Sequence, residues 1–253
     1  MEDDGHRLRF LRKYSVPKTE GNDRNEDFAA TSDRKGVYAL SDGASISYDS
    51  ATWAHIVAIS YVQTPSVTRP WITEAISKFD KKYDREALPW MAQAALDRGS
   101  FASLLGIQLH QPNEVEVFAV GDTEALLCDG DGIVATFPYS VSAEFSASPL
   151  LLSTSPSANT FVQEENYPSS RTVYWDLQGL STPSVYCMTD ALAQWALERK
   201  EEGNTPIRLL SEIRTARHFG SFVRRERGAG RLKRDDTTLL VFGERDVVLS
   251  RHC

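Results

Sequence analysis

Short apolar runs bounded by turn residues predict β-strands along most of this chain. The clearest is 37–41, where Val and Tyr favour a buried strand that ends in an Asp-Gly pair. Residues 8–10 alternate between apolar and polar side chains, which is typical of a short edge strand. Further strands are expected at 101–109, 114–120, 124–127 and 133–137, joined by turns as one antiparallel meander, and at 185–189 and 237–242.

Apolar residues at helical spacing predict helices between these strands. Residues 51–62 present a broad apolar face, with Asp49 and Ser50 as expected caps. Residues 71–97 show a similar pattern that Pro89 interrupts. The last two helices are expected over 191–200 and from Thr205 to about residue 218.

Two stretches lack a clear periodic pattern. Residues 138–184 are rich in Ser, Thr and Pro, and a segment of that length inside a compact domain is interpreted as a lid or flap. Residues 217–234 carry seven basic side chains against a lone Glu226. They have no interleaved aromatic platform or recognised nucleic-acid motif, so we expect a solvated loop or a basic rim that attracts an anionic substrate.

The composition is typical of a globular protein and argues against some classes of partner. With 253 residues, 41% hydrophobic and 25% charged, the chain is expected to fold as one globular domain, 1–253. A net charge of −7 argues against nucleic acid or an anionic membrane as a partner. Three distant cysteines without metal-ligand spacing, and the absence of an apolar leader, predict a cytoplasmic protein without disulfides or a zinc site.

Acidic residues mark the ends of the predicted strands. Asp42, Asp122 and Asp190 each follow an apolar run, and Asp235 precedes one. A hairpin centred on 33–36 would add Glu26 and Asp27 to this set. Strand ends that are distant in sequence can meet at one sheet edge, and a pocket of oxygen ligands without Cys or His suits Mg²⁺ or Mn²⁺. Two such ions predict hydrolysis of a phosphate ester.

Ordered motifs across nearly the whole chain resemble the metal-dependent type 2C serine/threonine protein phosphatases in their bacterial form. No motif is specific alone, but their order and spacing together carry the resemblance. The motifs are Asn25-Glu26-Asp27, Ser41-Asp42-Gly43, Gly99-Ser100-Phe101-Ala102-Ser103, Val120-Gly121-Asp122-Thr123, Thr189-Asp190-Ala191-Leu192 and Arg234-Asp235-Asp236-Thr237-Thr238. The resemblance implies an α+β fold, a four-layer α/β/β/α sandwich in which two antiparallel sheets pack face to face with helix pairs outside.

The same resemblance implies a site for two Mn²⁺ or Mg²⁺ ions. Asp42 would bridge both ions, Asp190 and Asp235 would complete one site, and Glu26 with the carbonyl of Gly43 would serve the other.

Two further aspartates receive roles from the resemblance. Asp27 would orient the water that attacks the phosphate, which makes it a catalytic residue together with Asp42. Asp122 would belong to a peripheral third metal site.

Three positions depart from the family pattern. Asn22 stands where the family usually has its phosphate-binding arginine, so the candidates to replace it are Arg24, Lys18 and the basic stretch 217–234. Gln194 stands where an acidic ligand of the third ion is common, which puts that ion in doubt, and Ala44 has no proton to donate.

The expected function is that of a signalling enzyme, a protein-serine/threonine phosphatase that hydrolyses phosphoserine or phosphothreonine through a water activated by two metal ions. A partner serine/threonine kinase or its target would be the phosphoprotein substrate. The alternative is a pseudophosphatase that binds a phosphoprotein without efficient catalysis. A metal-dependent phosphodiesterase is less favoured, and no G-x-S-x-G motif supports a serine hydrolase.

Overall fold

The computed structural model describes residues 6–19, 24–110 and 112–244. Within them it has twelve strands and six α-helices. The strands are β1 Arg9–Val16, β2 Asp27–Ser32, β3 Val37–Asp42, β4 Phe101–Ala102, β5 Leu104–His110, β6 Glu114–Val120, β7 Glu124–Asp129, β8 Gly132–Phe137, β9 Leu152–Ser153, β10 Thr172–Asp176, β11 Pro183–Met188 and β12 Thr237–Gly243. The helices are α1 Ser50–Gln63, α2 Arg69–Asp80, α3 Trp90–Arg98, α4 Asp190–Glu201, α5 Pro206–Ser211 and α6 Ala216–Gly228.

Ten of the strands form two five-stranded sheets. The first sheet has the order β1-β12-β11-β7-β8, and the second has the order β10-β6-β5-β3-β2. Neighbouring strands are antiparallel throughout both sheets. The two remaining strands, β4 and β9, form a separate short pair.

Three apolar layers hold the sheets and helices together. One lies between the sheets and joins residues such as Leu40 of the second sheet to Leu240 of the first. Another packs α1 and α2 against the outer face of the second sheet, and the third packs α4, α5 and α6 against the first. The predicted four-layer sandwich is therefore confirmed.

Strand β3 shows how the sequence builds these layers. Successive side chains of a strand point to opposite faces. Tyr38 accordingly lies in the layer between the sheets, whereas Ala39 faces the layer beneath α1. Because both faces are buried, the strand is an uninterrupted apolar run rather than an alternating one. Gly106, paired with Ala39, leaves room for the ring of Tyr61, since a Cβ there would lie 2.1 Å from its Cζ.

The prediction of one meander over 101–137 is wrong. Strands β5 and β6 pair in the second sheet, whereas β7 and β8 pair in the first, so the chain crosses between sheets after Val120. Gly121 makes the crossing with a φ of +106°, and a Cβ on it would lie 2.5 Å from Cβ of Ser103. A two-residue turn signal has the same appearance in a hairpin and in a crossover, because both need a glycine with positive φ.

The helix expected from Thr205 to about residue 218 is also wrong in its extent. Helix α5 ends at Ser211, and α6 begins after Thr215, whose Oγ1 accepts a hydrogen bond of 3.1 Å from the His218 amide. Residues 217–228 therefore belong to a helix and not to a loop. Phe219 and Phe222 face the core, so the arginines occupy the other side of an amphipathic helix.

Smaller differences concern the first helices and the expected lid. The break near Pro89 is wider than predicted, because a 3-10 turn at Arg85–Ala87 separates α2 from α3. Asp49 precedes α1 without capping it through its side chain, since its backbone has a φ of +41°. A lid within 138–184 stays a prediction, and β10 limits it to the residues before Thr172 because that strand pairs with β6. Among the described residues, no helix is both long and apolar enough to cross a membrane.

Candidate metal centre

The candidate site begins with two aspartates on neighbouring strands. Asp27 opens β2 and Asp42 closes β3, and the antiparallel register places them directly opposite each other. The peptide group of Asp42 is fixed by Ser103, whose Oγ accepts from the Asp42 amide at 3.1 Å and whose amide donates to the Asp42 carbonyl at 2.8 Å. The predicted hairpin at 33–36 is therefore confirmed, and it brings the two carboxylates together.

Several carboxylates surround Asp42. Burial raises its pKa well above the ordinary value for aspartate, and four neighbouring acids raise it further by repulsion. These acids are Asp27, Asp190, Asp122 and Asp235. The structure thus brings together five of the acidic positions that the sequence singled out, which come from both sheets.

Asp27 is buried and held from the opposite sheet. Its Oδ2 accepts hydrogen bonds from the hydroxyl groups of Thr189, at 3.1 Å, and Thr238, at 2.7 Å. Its Oδ1 is buried and has no hydrogen-bond partner among the described residues. Burial raises the pKa of Asp27 to about 8, although the bond from Thr238 acts in the opposite direction. An unpaired buried carboxylate oxygen within an acidic cluster is an acceptor suited to a cation.

Glu26 lies beside this pair and has three donors. Its Oε1 accepts from Ser50 at 2.6 Å, and its Oε2 accepts from Ser45 and from the ammonium group of Lys18. Burial acts to raise the pKa of Glu26, but the hydrogen bond from Lys18 and those from the two serines outweigh it, so that pKa is lowered. Glu26 is therefore a carboxylate at neutral pH.

Gly43 has a close approach that only glycine tolerates. A Cβ at this position would lie 2.7 Å from the Ser50 carbonyl oxygen, at the start of α1. The Gly43 amide donates to the Glu26 carbonyl at 3.1 Å. These contacts fix the backbone of Gly43 between β3 and α1, next to Asp42.

Asp190 and Asp235 approach the cluster from the first sheet. Asp190 is the first residue of α4, where its Oδ1 accepts from the Ala191 amide at 2.6 Å. Its Oδ2 lies 3.3 Å from Nζ of Lys233. Burial raises the pKa of Asp235, and repulsion by Asp190 raises it further. The two carboxylates are therefore near each other, with the Lys233 ammonium beside them.

Asp122 occupies the crossing between the sheets. Its pKa is raised to about 6, chiefly by burial and secondly by repulsion from Asp190. The positive charge of Lys233 acts to lower that pKa. Gln194, the residue expected to weaken a third metal site, donates from Nε2 to Oε1 of Glu198 at 2.9 Å. Asp122 is thus close to the cluster, whereas the side-chain amide of Gln194 is hydrogen-bonded to Glu198 one turn later in α4.

Sequence reasoning missed the part played by Asp236. This residue is 2% exposed, and its two carboxylate oxygens accept from the backbone amides of Lys18, at 2.6 Å, and Glu26, at 2.7 Å. It therefore fixes the loop ends that carry two candidate site residues. A second aspartate beside Asp235 was visible in the sequence, but only the fold shows that it faces backbone amides.

The two candidate phosphate-binding residues are both paired with acids. Lys18 contacts Glu26 and also donates to Ser45 Oγ at 2.7 Å, inside the cluster. Arg24 pairs with Asp49, and its side chain is 65% exposed. Position 22, which departs from the family pattern, lies outside the described residues.

The chemistry of the donors fits hard divalent cations. All the acidic groups offer oxygen, they repel one another, and Asp27 keeps an unpaired buried oxygen. As the side chains stand, the described residues contain no group of three His, Cys, Asp or Glu arranged to hold an ion. Lys18 holds Glu26 and Lys233 holds Asp190, so those carboxylates would have to exchange an ammonium partner for a metal ion.

Solved structures resemble this chain over nearly its whole length. The photosystem II phosphatase PBCP covers 94% of this chain and 99% of its own, with a TM-score of 0.60 and 12% identity. The Mycobacterium tuberculosis serine/threonine phosphatase PstP covers 94% and 98%, with a TM-score of 0.56 and 14% identity. The catalytic domain of PstP in complex with two manganese ions covers 93% and 97%, with a TM-score of 0.55 and 14% identity.

Comparison of the sequence with protein-family models and with curated proteins finds no match. At identities of 12–14% the likeness establishes the arrangement of the backbone. The chain therefore has the fold of the type 2C serine/threonine phosphatases.

Proposed function

We propose that this protein is a metal-dependent phosphatase that removes phosphate from phosphoserine or phosphothreonine in a protein substrate. The observation that carries this proposal is the half-buried Asp42, whose pKa is raised by desolvation and by four other carboxylates. Clustered acids cost folding free energy unless a cation neutralises them, so their presence favours a metal site. The fold shared with serine/threonine phosphatases supports the same conclusion.

Five residues would hold two Mn²⁺ or Mg²⁺ ions. They are Glu26, Asp42, Gly43 through its carbonyl, Asp190 and Asp235. Oxygen donors of this kind prefer hard cations, and the structure of the PstP catalytic domain with two manganese ions supports the choice. Such a pair of ions supplies Lewis-acid stabilisation of a phosphoryl group and lowers the pKa of water.

The remaining residues would position these groups. Thr189 and Thr238 orient Asp27 by donating to its Oδ2, which leaves Oδ1 free to accept from a water. Asp27 is therefore assigned the role of orienting the attacking water, as an acceptor next to Asp42. Asp236 holds the backbone amide of Glu26 and so fixes the loop that carries that ligand.

Lys18 is the better candidate for the phosphate-binding role. Its ammonium group already lies against Glu26 and Ser45, within the acidic cluster. Arg24 is the weaker candidate because Asp49 engages its guanidinium group. On metal binding, neutralisation of Glu26 would release the Lys18 ammonium for an anionic substrate.

Lys233 lies among the acids that a peripheral third ion would need. The Lys233 ammonium group lies 3.3 Å from Oδ2 of Asp190 and is also attracted by Asp235 and Asp122. One positive charge therefore already offsets the repulsion among these carboxylates. We therefore infer two ions rather than three.

A pseudophosphatase is the second candidate function. Two observations favour it. Lys18 and Lys233 form ion pairs with acids of the cluster, and the described side chains contain no group of three His, Cys, Asp or Glu arranged to hold an ion. Such a module would bind a phosphoprotein without cleaving it. Under either function, two statements stay predictions: that the partner is a protein kinase or its target, and that the protein is located in the cytoplasm.

A phosphopeptide assay tests the proposal. Full-length protein should release phosphate from a phosphothreonine peptide with Mn²⁺ or Mg²⁺ and not with a chelator. Asp42→Asn should lower the rate by more than about a hundredfold, since even residues that only orient metal ligands are worth about 10–100-fold. The matched control is Asp33→Asn, an exposed aspartate at the other end of the same hairpin, which should keep its rate. Absence of metal-dependent release in the unaltered protein would favour the pseudophosphatase.

A further inference from the structure

A cavity lies at the end of the first sheet that is remote from the carboxylate cluster. It opens between β1, β11, β12 and the segment that links α5 to α6. Arg12 on β1 is paired with Val241, four residues along β12 from Thr237 at the cluster end. At about 3.3 Å per residue, this places the cavity roughly 13 Å along the strand from that end.

Arg12 reaches into this cavity without a full set of partners. Its Nη2 donates to the Ser211 carbonyl at a long 3.4 Å, and its Nε is buried and has no acceptor among the described residues. The hydroxyl group of Tyr186 is a further hydrogen-bond partner of this guanidinium group. Burial of the guanidinium lowers the pKa of Arg12, so the charged group is held at a cost.

A second guanidinium group faces the first. Arg214 also lines the cavity, and its repulsion is the second cause that lowers the pKa of Arg12. Two like charges placed together in a half-buried site are unfavourable without a counter-charge. Arg214 itself is exposed at the rim and therefore accessible to a ligand that enters from solvent.

The carboxylates of the lining do not supply that counter-charge. Glu244 is engaged in an ion pair with Arg7, and Asp131 is the other acid that lines the cavity. Within residues 6–19, 24–110 and 112–244, neither acid forms an ion pair with Arg12 or Arg214. The cavity consequently holds two guanidinium groups against one lining carboxylate, that of Asp131, which is not already paired with another arginine in the described residues.

We propose that this cavity is a binding site for a tetrahedral oxyanion, inorganic phosphate or the phosphoryl group of a monoester. Arg12 and Arg214 provide planar forks of donors whose geometry matches phosphate oxygens, and the Tyr186 hydroxyl provides a third donor. The anion supplies both the missing acceptor of Arg12 Nε and the missing counter-charge. This site requires no metal and is independent of the phosphatase proposal.

Calorimetric titration of the full chain with inorganic phosphate tests this site. A chelator is present, so that phosphate does not bind through a metal ion. One phosphate per chain should bind, and Arg12→Met or Arg214→Met should weaken its affinity by about tenfold or more, the worth of one charged hydrogen bond. The matched control is Arg208→Met on α5, which removes the same charge from an exposed arginine outside the cavity and should leave the affinity unchanged.

Three results would overturn the proposal. They are the absence of binding to the unaltered chain, an affinity that survives both cavity substitutions, and an equal loss in Arg208→Met, which would indicate attraction by net charge alone. Arg214→Met keeps the test decisive if Arg12→Met does not fold, because Arg214 is exposed. A parallel titration with phosphoserine distinguishes the sources: binding stronger than that of phosphate supports a phosphorylated segment, and binding of phosphate alone supports the free ion.

Discussion

Asp27 and Asp42 stand directly opposite each other across β2 and β3, so a buried carboxyl group and a half-buried one share one cross-strand position. Two carboxylates directly opposite in a sheet are destabilising when both are ionised, and partial removal from water weakens the screening between them. Among the described residues, Thr189 and Thr238 donate to Oδ2 of Asp27 while its Oδ1 has no partner, so these hydrogen bonds offset the cost only in part. The pair therefore lowers the stability of the metal-free protein, as expected of carboxylates placed to bind cations.

Asp42→Asn should consequently stabilise the metal-free protein. The raised pKa of the Asp42 carboxyl costs stability at neutral pH and Asn has no such cost, so the free energy of unfolding at pH 7 is expected to rise by about 1 kcal/mol, or about 2–4 °C in Tm for a chain of this size. Mn²⁺ should raise the Tm of the unaltered protein and not that of the variant, because only a state that binds the ion gains from it. Thermal unfolding with chelator and with Mn²⁺ measures both effects. A variant that is less stable in chelator would contradict the electrostatic account.

Lys233 should set the number of metal ions that the site accepts. Lys233→Met removes the ammonium group that lies 3.3 Å from Asp190, so Asp190 and Asp122 would be left without a counter-charge. We expect an additional divalent ion to bind in this variant, whereas Lys233→Arg keeps the charge and the original stoichiometry. Calorimetric titration with Mn²⁺ measures the number of ions directly. The same stoichiometry in all three proteins would remove Lys233 from this role.

Lys18 and Arg24 are distinguished by their effects on substrate binding. Lys18→Met should raise the KM for a phosphopeptide by about tenfold, the value of one charged hydrogen bond, with a smaller change in kcat. Arg24→Met removes an exposed guanidinium that pairs with Asp49, so we expect a change of less than about threefold. Steady-state kinetics of the two variants measure this difference. A larger increase of KM in Arg24→Met would exchange the two assignments.

Gly43→Ala should damage the site through the backbone. The added Cβ would lie 2.7 Å from the Ser50 carbonyl oxygen, and that atom belongs to α1 and is not the end of a flexible side chain. We expect a loss of about 1–3 kcal/mol in unfolding free energy, typical of overpacking, and weaker Mn²⁺ binding because Ser50 also donates to Glu26. Chemical denaturation and metal titration measure the two effects. Gly228→Ala, where a Cβ meets nothing within 4 Å and φ is not positive, as at Gly43, controls for the loss of a glycine.

Glu226 links α6 to α4 and gives a pH dependence of stability. Hydrogen bonds from Arg231, which outweigh the opposing effect of burial, lower the pKa of Glu226 to about 2, with help from Arg225 and Trp195. A pKa below that of the unfolded state stabilises the fold above about pH 4.5, and this stability is lost as pH falls toward about 2. The two pKa values differ by an amount that corresponds to about 3 kcal/mol, and exposure of both arginines reduces this to about 1–2 kcal/mol.

Glu226→Gln measures this contribution. The variant should be less stable than the unaltered protein at pH 7, and the difference should shrink as pH falls from about 4.5 toward about 2, because Glu226 becomes protonated over that range. Urea denaturation at several pH values measures the difference. A difference that does not depend on pH would assign the effect to packing against Trp195 instead of to charge.

The sequence predicted the acidic positions because local chemistry decides them. An apolar run that ends in aspartate identifies both a strand and a carboxylate at its end, and this holds for Asp42 and Asp190 without knowledge of the partner strands. The hairpin between Asp27 and Asp42 was equally predictable, since a short turn between two strands determines their register. The amphipathic pattern of α6 was present too, but the exposed arginines at positions 217, 224 and 225 concealed it.

Only the tertiary structure decided which strands pair and which charges meet. The crossing at Gly121, the backbone amides held by Asp236, and the ammonium groups of Lys18 and Lys233 beside cluster acids all join parts of the chain that are distant in sequence. Periodicity reports which face of an element is buried and carries no information about the neighbour that covers it. The sequence by itself therefore determined the elements and the oxygen chemistry of the site, whereas packing of the two sheets decided its geometry and its neutralising charges.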